Sequence, residues 1–391
     1  MTNLEQFRQE TRDWLDENCP ASMRQPVKSD KDQCWGGRNW QFTNDDQRVW
    51  LERMAERGWT VPQWPTEYGG GGLSQAEAKI LKQEMARIHA RRPLDSFGID
   101  MLGPALLKFA SEEQKQRFIP PIIRGEIRWC QGYSEPSAGS DLASLQARAD
   151  DKGDHYLING SKVWTSYADK SDWIFCLVRT DFDGPKHQGI SFLLFDMASP
   201  GITTHPIKLI SGFSPFCETF FENVEVPKEN LIGDINKGWN IAKYLLTHER
   251  EMIGGFGLLR AGVTTLGQQA VAAIGTRDER LADDGLRSDI TAFEIDEMAF
   301  AATVERVVDE AKAGQGTGAA SSLIKLYGTE LNKTRYELLM SLGGSDALFW
   351  GNDEDTTVSK DWLRSKGNSI EGGTSEIQLN IIAKRILGLP S

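Results

Sequence analysis

At 391 residues, 39% hydrophobic and 26% charged, the chain is long enough for two or three packed units of ordinary globular composition. Its 56 acidic and 44 basic residues leave a formal charge of −12, which argues against nucleic acid or an anionic membrane as the main partner, although local basic residues can still hold a small anion. The five cysteines (Cys19, Cys34, Cys130, Cys176, Cys217) and five histidines have no metal-ligand spacing, the N-terminus is not signal-like, and no apolar run approaches the ~18 residues of a membrane span, so the reading is a soluble, cytoplasmic chain with free thiols, no metal and no membrane span.

Residues 1–129 read as an α-helical domain. Leu4, Phe7, Thr11, Trp14 and Leu15 recur at helical spacing, and Asn44-Asp45-Asp46 opens a second helix that Gly58 stops. The run Pro62–Gly72, with glycine at 69–72, reads as a connection; no strand precedes it and no Lys-Ser/Thr follows, so it is not a phosphate cradle. Ser74 with Glu77, and Ser111 with Gln114, predict capping boxes that open two further helices.

Residues 130–235 change to strand periodicity and read as an antiparallel β domain, with Trp173–Arg179, Ile190–Asp196, Ile202–Ile207 and Thr219–Val226 as strands. At its start, Ser134–Asp141 is a turn-rich loop in which Pro136 fixes one φ and Gly139 permits another, so that several backbone N–H groups can face one ligand. Gly153-Asp154 is read as a turn into His155–Ile158, and Asn159-Gly160 as a hairpin turn into Ser161–Ser166. Backbone donors, the ring of Trp164 and the hydroxyl of Ser166 together suit a flat heteroaromatic ring; a hairpin with a buried Trp beside an ordinary surface loop satisfies the same residues.

Residues 236–391 return to helices. Ile241, Leu245, Met252, Phe256, Leu259, Val263 and Leu266 form a buried stripe, 288–312 and 321–342 read as two long helices, and a last one runs from about Ser375, capped by Gln378, to Leu387. Glu249 falls four residues after Leu245 and three before Met252, on the apolar side of its helix, where a carboxylate can serve as a partly desolvated base. By composition alone, the run His248–Glu251 reads rather as a solvated charge run.

Two motifs narrow these alternatives: Glu135-Pro136-Ser137-Ala138-Gly139-Ser140-Asp141, and Asn159-Gly160-Ser161-Lys162-Val163-Trp164-Thr165-Ser166. Their order and spacing resemble the flavin-binding segment of the acyl-CoA dehydrogenases, and the helix–β–helix layout extends the resemblance over nearly the whole chain. The pattern is most similar to bacterial members of the pimeloyl-CoA dehydrogenase large-subunit and steroid side-chain kinds. The resemblance implies an α+β fold of an N-terminal helical domain, a middle antiparallel β-barrel-like domain and a C-terminal four-helix bundle. It also implies FAD-dependent α,β-dehydrogenation of an acyl-CoA thioester to a trans-2-enoyl-CoA, with an electron-transfer flavoprotein as acceptor; a partner subunit that keeps the fold without catalysis is the alternative.

Carried over by position, the resemblance assigns FAD contacts to Tyr133 and Ser134 (through backbone), Ser140, Trp164, Thr165, Ser166, Thr374 and Glu376, with Ser140 also near the CoA arm. In one branch of the family the base follows N-K-G and a short spacer as E-R, matching Asn236-Lys237-Gly238 and then Glu249-Arg250. Most members place it directly before G-T-S; here Gly372 stands there and Glu371 lies one residue early, so Glu249 is preferred and Gly372 is left to offer its N–H to the thioester oxygen. The family's R-x-x-F-G motif, which serves FAD across a subunit interface, is missing at 276–287, and 340–356 also departs from the usual pattern. A tetramer containing an unlike second subunit is therefore expected.

Overall fold

The computed structural model describes residues 3–27, 30–254, 264–313, 319–352 and 357–390. The N-terminal part is helical: α1 (Asn3–Asn18), α2 (Asp45–Glu56), α3 (Gln75–Arg87), α4 (Gly103–Phe109) and α5 (Glu112–Ile123). The predicted starts are present. Asn44 caps α2 by accepting from the Gln47 N–H, and Ser74/Glu77 and Ser111/Gln114 form complete capping boxes. Leu15, Trp50, Met54 and Leu81 bury one face of these helices in a common core. On their polar side, the buried carboxylate of Glu84 receives Arg8, Arg12 and Arg87 at 2.8–3.0 Å.

The middle strands are β1 (Trp129–Gly132), β2 (Arg148–Asp151), β3 (His155–Ser166), β4 (Trp173–Arg179), β5 (Ile190–Asp196), β6 (Ile202–Ile207), β7 (Phe216–Pro227) and β8 (Leu231–Ile232). They form one eight-stranded sheet in the order β6-β7-β3-β2-β4-β5-β8, with β1 alongside β4. The sheet is not wholly antiparallel: β1 pairs with β4 in parallel, and β2 meets β4 in parallel at Arg148 and Arg179.

A second expectation is corrected here. Asn159-Gly160 does not turn the chain; β3 runs through it as one strand, and the register against β7 merely shifts between Ile158 and Gly160. The dipeptide serves as a bulge because β7 pairs with β3 on both sides of it, outweighing the local turn preference. Gly160 has φ +141°, and a Cβ there would stand 2.7 Å from Ala147 Cα, so only glycine fits. The turn expected at Gly153-Asp154, by contrast, does join β2 to β3.

The C-terminal helices are α6 (Gly238–Gly254), α7 (Leu266–Ile274), α8 (Asp284–Lys312), α9 (Ala320–Gly343), α10 (Val358–Ser365) and α11 (Ser375–Arg385); between α7 and α8 a small hairpin joins β9 (Thr276–Arg277) to β10 (Arg280–Leu281). The apolar stripe expected to run to Leu266 is divided. Leu266 opens α7 behind its own capping box, Thr265 with Gln268, and Phe256, Leu259 and Val263 lie outside the described residues. The last helix is capped not through Gln378 but by Thr374, whose hydroxyl accepts from Ile377 N–H. Leu266, Phe293, Phe300, Ile324 and Leu331 share a core.

The chain divides into two compact units, residues 1–207 with 215–245, and 208–214 with 246–391. Among the described residues no helix is long and apolar enough to cross a membrane.

Candidate active site

In the first unit, the loop after β1 is fastened to β3 from below. The ammonium of Lys162, wholly buried, donates to Glu135 Oε1 at 2.8 Å and to the Tyr133 carbonyl at 3.1 Å. Glu135 also accepts the backbone N–H groups of Gln146 and Ala147, so its charge is fully engaged. Val163 N–H donates to the Ser134 carbonyl at 2.9 Å, completing the seam. With the Tyr133 carbonyl turned toward Lys162, the Ser134 N–H on the same trans peptide points the other way, and among the described residues it meets no acceptor. Neither Glu135 nor Lys162 was singled out from sequence, although both lie inside the two motifs.

The seam displays Trp164. The register between β3 and β7 shifts between Lys162 and Thr165, and within that bulge Trp164 takes φ +61°. A bulky residue held in the left-handed region costs about 1–3 kcal/mol. Its ring is also 54% exposed, touching Phe216 edge-on with centroids 5.9 Å apart. The reading as a buried hairpin Trp is thus overturned: the fold bears both strain and an exposed aromatic face here, which is the pattern of a ligand platform.

The neighbouring side chains sort by direction. Ser166 is half-buried in register with Phe216. Thr165 is fully buried, so it can offer only backbone to a ligand, and among the described residues its hydroxyl has no partner. Tyr133 is likewise limited to its backbone, since its ring packs edge-on between Phe175 and Phe192 in the core. Ser140 is exposed on the loop, next to Asp141, which binds Lys186 at 2.6 Å.

The second unit holds the other group of expected residues. Glu249 is half-buried on α6; the side chain of Arg250 lies outside the described residues. Glu371, the competing carboxylate, is committed elsewhere: Arg364 Nη2 donates to its Oε2 at 2.7 Å, and Arg364 Nη1 and Asn368 Nδ2 both donate to its Oε1. Gly372 and Gly373 follow with φ +64° and +92°, and lead into α11. Thr374 and Glu376 sit at the start of that helix; the Glu376 backbone N–H and the Thr374 hydroxyl hold the Glu376 carboxyl below its usual range. A carboxylate at that position suits a hydroxyl of a ligand better than a phosphate.

The five cysteines take no part in either group. All are buried, and desolvation pushes the thiols up, to about 11 for Cys19 and about 12 for Cys34 and Cys176.

The bulged Trp platform, the open N–H of Ser134 and the hydroxyl of Ser166 have the chemistry to meet a flat heteroaromatic ring, and comparison with known proteins identifies the family. Residues 2–126, 130–224 and 236–387 match the N-terminal, middle and C-terminal domains of acyl-CoA dehydrogenase. The acyl-CoA dehydrogenase IpdE1 of Mycobacterium tuberculosis (strain ATCC 25618 / H37Rv) is 35% identical over 100% of this chain and 99% of its own. Among solved structures, the Tcur3481-Tcur3483 steroid ACAD aligns with TM-score 0.78 at 29% identity, covering 100% of this chain and 98% of that one. The ChsE4-ChsE5 complex from Mycobacterium tuberculosis aligns with TM-score 0.72 at 26% identity, again covering 100% and 98%. With helical N- and C-terminal parts around a β domain, and all three domains matched in order, the chain belongs to the acyl-CoA dehydrogenase family, oxidoreductases that act on acyl-CoA thioesters and generally bind FAD.

Proposed function

We propose that this chain carries the catalytic base of an FAD-dependent acyl-CoA dehydrogenase, and that the base is Glu249. FAD would be held by the Ser134 N–H, the Trp164 ring and the Ser166 hydroxyl, with Ser140 toward its dinucleotide arm or the CoA. When bound, it supplies the acceptor for the hydride that leaves Cβ. Glu249 takes the α proton, and the Gly372 N–H steadies the charge that develops on the thioester oxygen. The domains divide at 129/130 and 235/236, and an electron-transfer flavoprotein receives the electrons.

The observation that carries the choice of base is the state of Glu371. Both of its oxygens accept hydrogen bonds, from Arg364 and Asn368, and a carboxylate tied to a guanidinium is a poor proton acceptor. Similarity to a steroid ACAD supports a bulky polycyclic acyl group. The two-name complexes among the similar structures support assembly with an unlike subunit.

Glu249→Gln keeps the shape of the side chain but not the proton acceptor. It should lower turnover by about 10²–10⁴-fold, with FAD still bound, while Glu371→Gln costs far less. The check is steady-state kinetics on a panel of straight-chain, branched, dicarboxylyl and steroid-derived CoA thioesters. The opposite ranking of the two variants would remove Glu249 from the role.

A further inference from the structure

Lys325 lies on α9 with none of its surface exposed. A lysine so deep normally faces a carboxylate, yet among the described residues this one forms no ion pair within 4 Å; its ammonium donates instead to the Asn368 carbonyl at 2.8 Å and the Gly373 carbonyl at 2.9 Å. Gln378, also fully buried, reaches the same turn from α11, donating to the Gly372 carbonyl at 2.8 Å. Two more α9 side chains grip the turn: Asn332 donates to Asn368 Oδ1 and Lys333 to Ser369 Oγ. The inward pull on the Gly372 and Gly373 carbonyls turns the N–H groups of Gly373 and Thr374, on the same trans peptides, the other way. The N–H groups of Gly372, Gly373 and Thr374 meet no acceptor among the described residues.

The charge of Lys325 reaches further than its hydrogen bonds. Burial pushes its pKa down; Glu371, Glu330 and Glu249 pull it back up, and Lys333 adds to the fall. A methionine of similar length would fill the space without desolvating a charge. A buried ammonium bonded only to carbonyls is costly unless the charge or the turn is used.

We infer that Lys325 is a positioning residue for the reaction proposed above: it holds the Asn368–Gly373 turn in the shape that presents outward N–H groups. The inference rests on Glu249 being the base, and the experiment separates the two. The probe is acetyl-CoA deuterated on its methyl group, which has an α proton to lose but no β hydrogen. Loss of deuterium to water, catalysed by the FAD-loaded protein in complex with the unlike chain proposed to complete its FAD site and followed by mass spectrometry across pH, reads proton abstraction without turnover.

The wild-type protein should exchange the label, with a rate that falls in acid as the base protonates. Lys325→Met should slow exchange about 10–100-fold and leave the acid limb in place, because the turn that presents the N–H groups is disturbed and the base is not. Gln378→Leu releases another carbonyl of the same turn, so it too should slow exchange and leave the limb in place. It also keeps the inference testable should Lys325→Met fail to fold. Lys325→Met with a lowered Tm but an unchanged rate, or Gln378→Leu with unchanged exchange, overturns the positioning role. Glu249→Gln exchanging at the wild-type rate overturns the base assignment instead, and no exchange by the wild-type protein overturns both.

Discussion

A single lysine decides whether the loop after β1 keeps its shape. Lys162 and Glu135 form a buried pair at 2.8 Å, and the same ammonium fixes the Tyr133 carbonyl that orients the Ser134 N–H. Lys162→Met leaves the Glu135 carboxylate buried with only its two backbone donors, which should cost about 3–5 kcal/mol and lower the flavin-to-protein absorbance ratio after purification. Lys162→Met combined with Glu135→Gln removes the stranded charge and should recover part of the stability but not the flavin, because the Tyr133 carbonyl is still released. Thermal melts beside flavin absorbance test this; full flavin retention in both variants would mean the pair does not shape the site. At this scale the sequence was informative only in part. Trp164 and Ser166 stand in a motif, but the left-handed φ that exposes Trp164 arises from the mismatch between β3 and β7 and has no local signature. Lys325 is less legible still, since a lysine in a helical pattern reads as solvent-facing and only the turn folded onto α9 reveals that it is buried.

Elements were legible where their ends carry local chemistry. The capping residues Asn44, Ser74 and Ser111 placed three helices because a cap is a contact over three residues. Asn159-Gly160 misled because hairpin and bulge use the same dipeptide, and the choice rests on a strand some sixty residues away. The packing of α1 on α3 was not readable at all, as its polar anchor joins residues far apart in the chain. Glu84 on α3 receives Arg8 and Arg12 from α1, and hydrogen bonding, led by Arg12, holds its carboxyl at about 2, down from an ordinary 4.5. The stabilisation from this lowered value is therefore complete above about pH 4.5 and is lost as pH falls toward 2. Glu84→Gln should cost about 1–3 kcal/mol near neutrality, and the gap from wild type in urea unfolding should close between those two pH values. A gap that does not vary with pH would show that shape, not charge, accounts for the cost.

For the whole molecule, the proposed FAD site needs positive charge for the diphosphate. The segment at 276–287 lacks the family's R-x-x-F-G element, and the fold makes it a hairpin in which Arg277 and Arg280 stand opposite each other, both exposed. Like charges across an antiparallel pair repel, so an anion between them would relieve the hairpin; this is the way a second copy of the chain could replace the missing arginine. Against it, Asp278 and Glu279 form the turn between the two arginines and offset their charge near any diphosphate. Met298 on α8 and Leu387 beyond α11 are 73% and 63% exposed, and such large apolar side chains suit contacts with another subunit whether like or unlike. A diphosphate left poorly neutralised where it is partly desolvated is a substantial loss, so the balance favours an unlike chain that brings the intact arginine element while this chain brings Glu249. Native mass spectrometry of the protein produced alone should then find less than one FAD per chain and weak activity, both restored by a related chain carrying R-x-x-F-G. A stable homo-oligomer with one FAD per chain and full activity would overturn the two-subunit reading, and if replacing Arg277 and Arg280 with alanine strips that FAD, the hairpin supplies the missing charge itself.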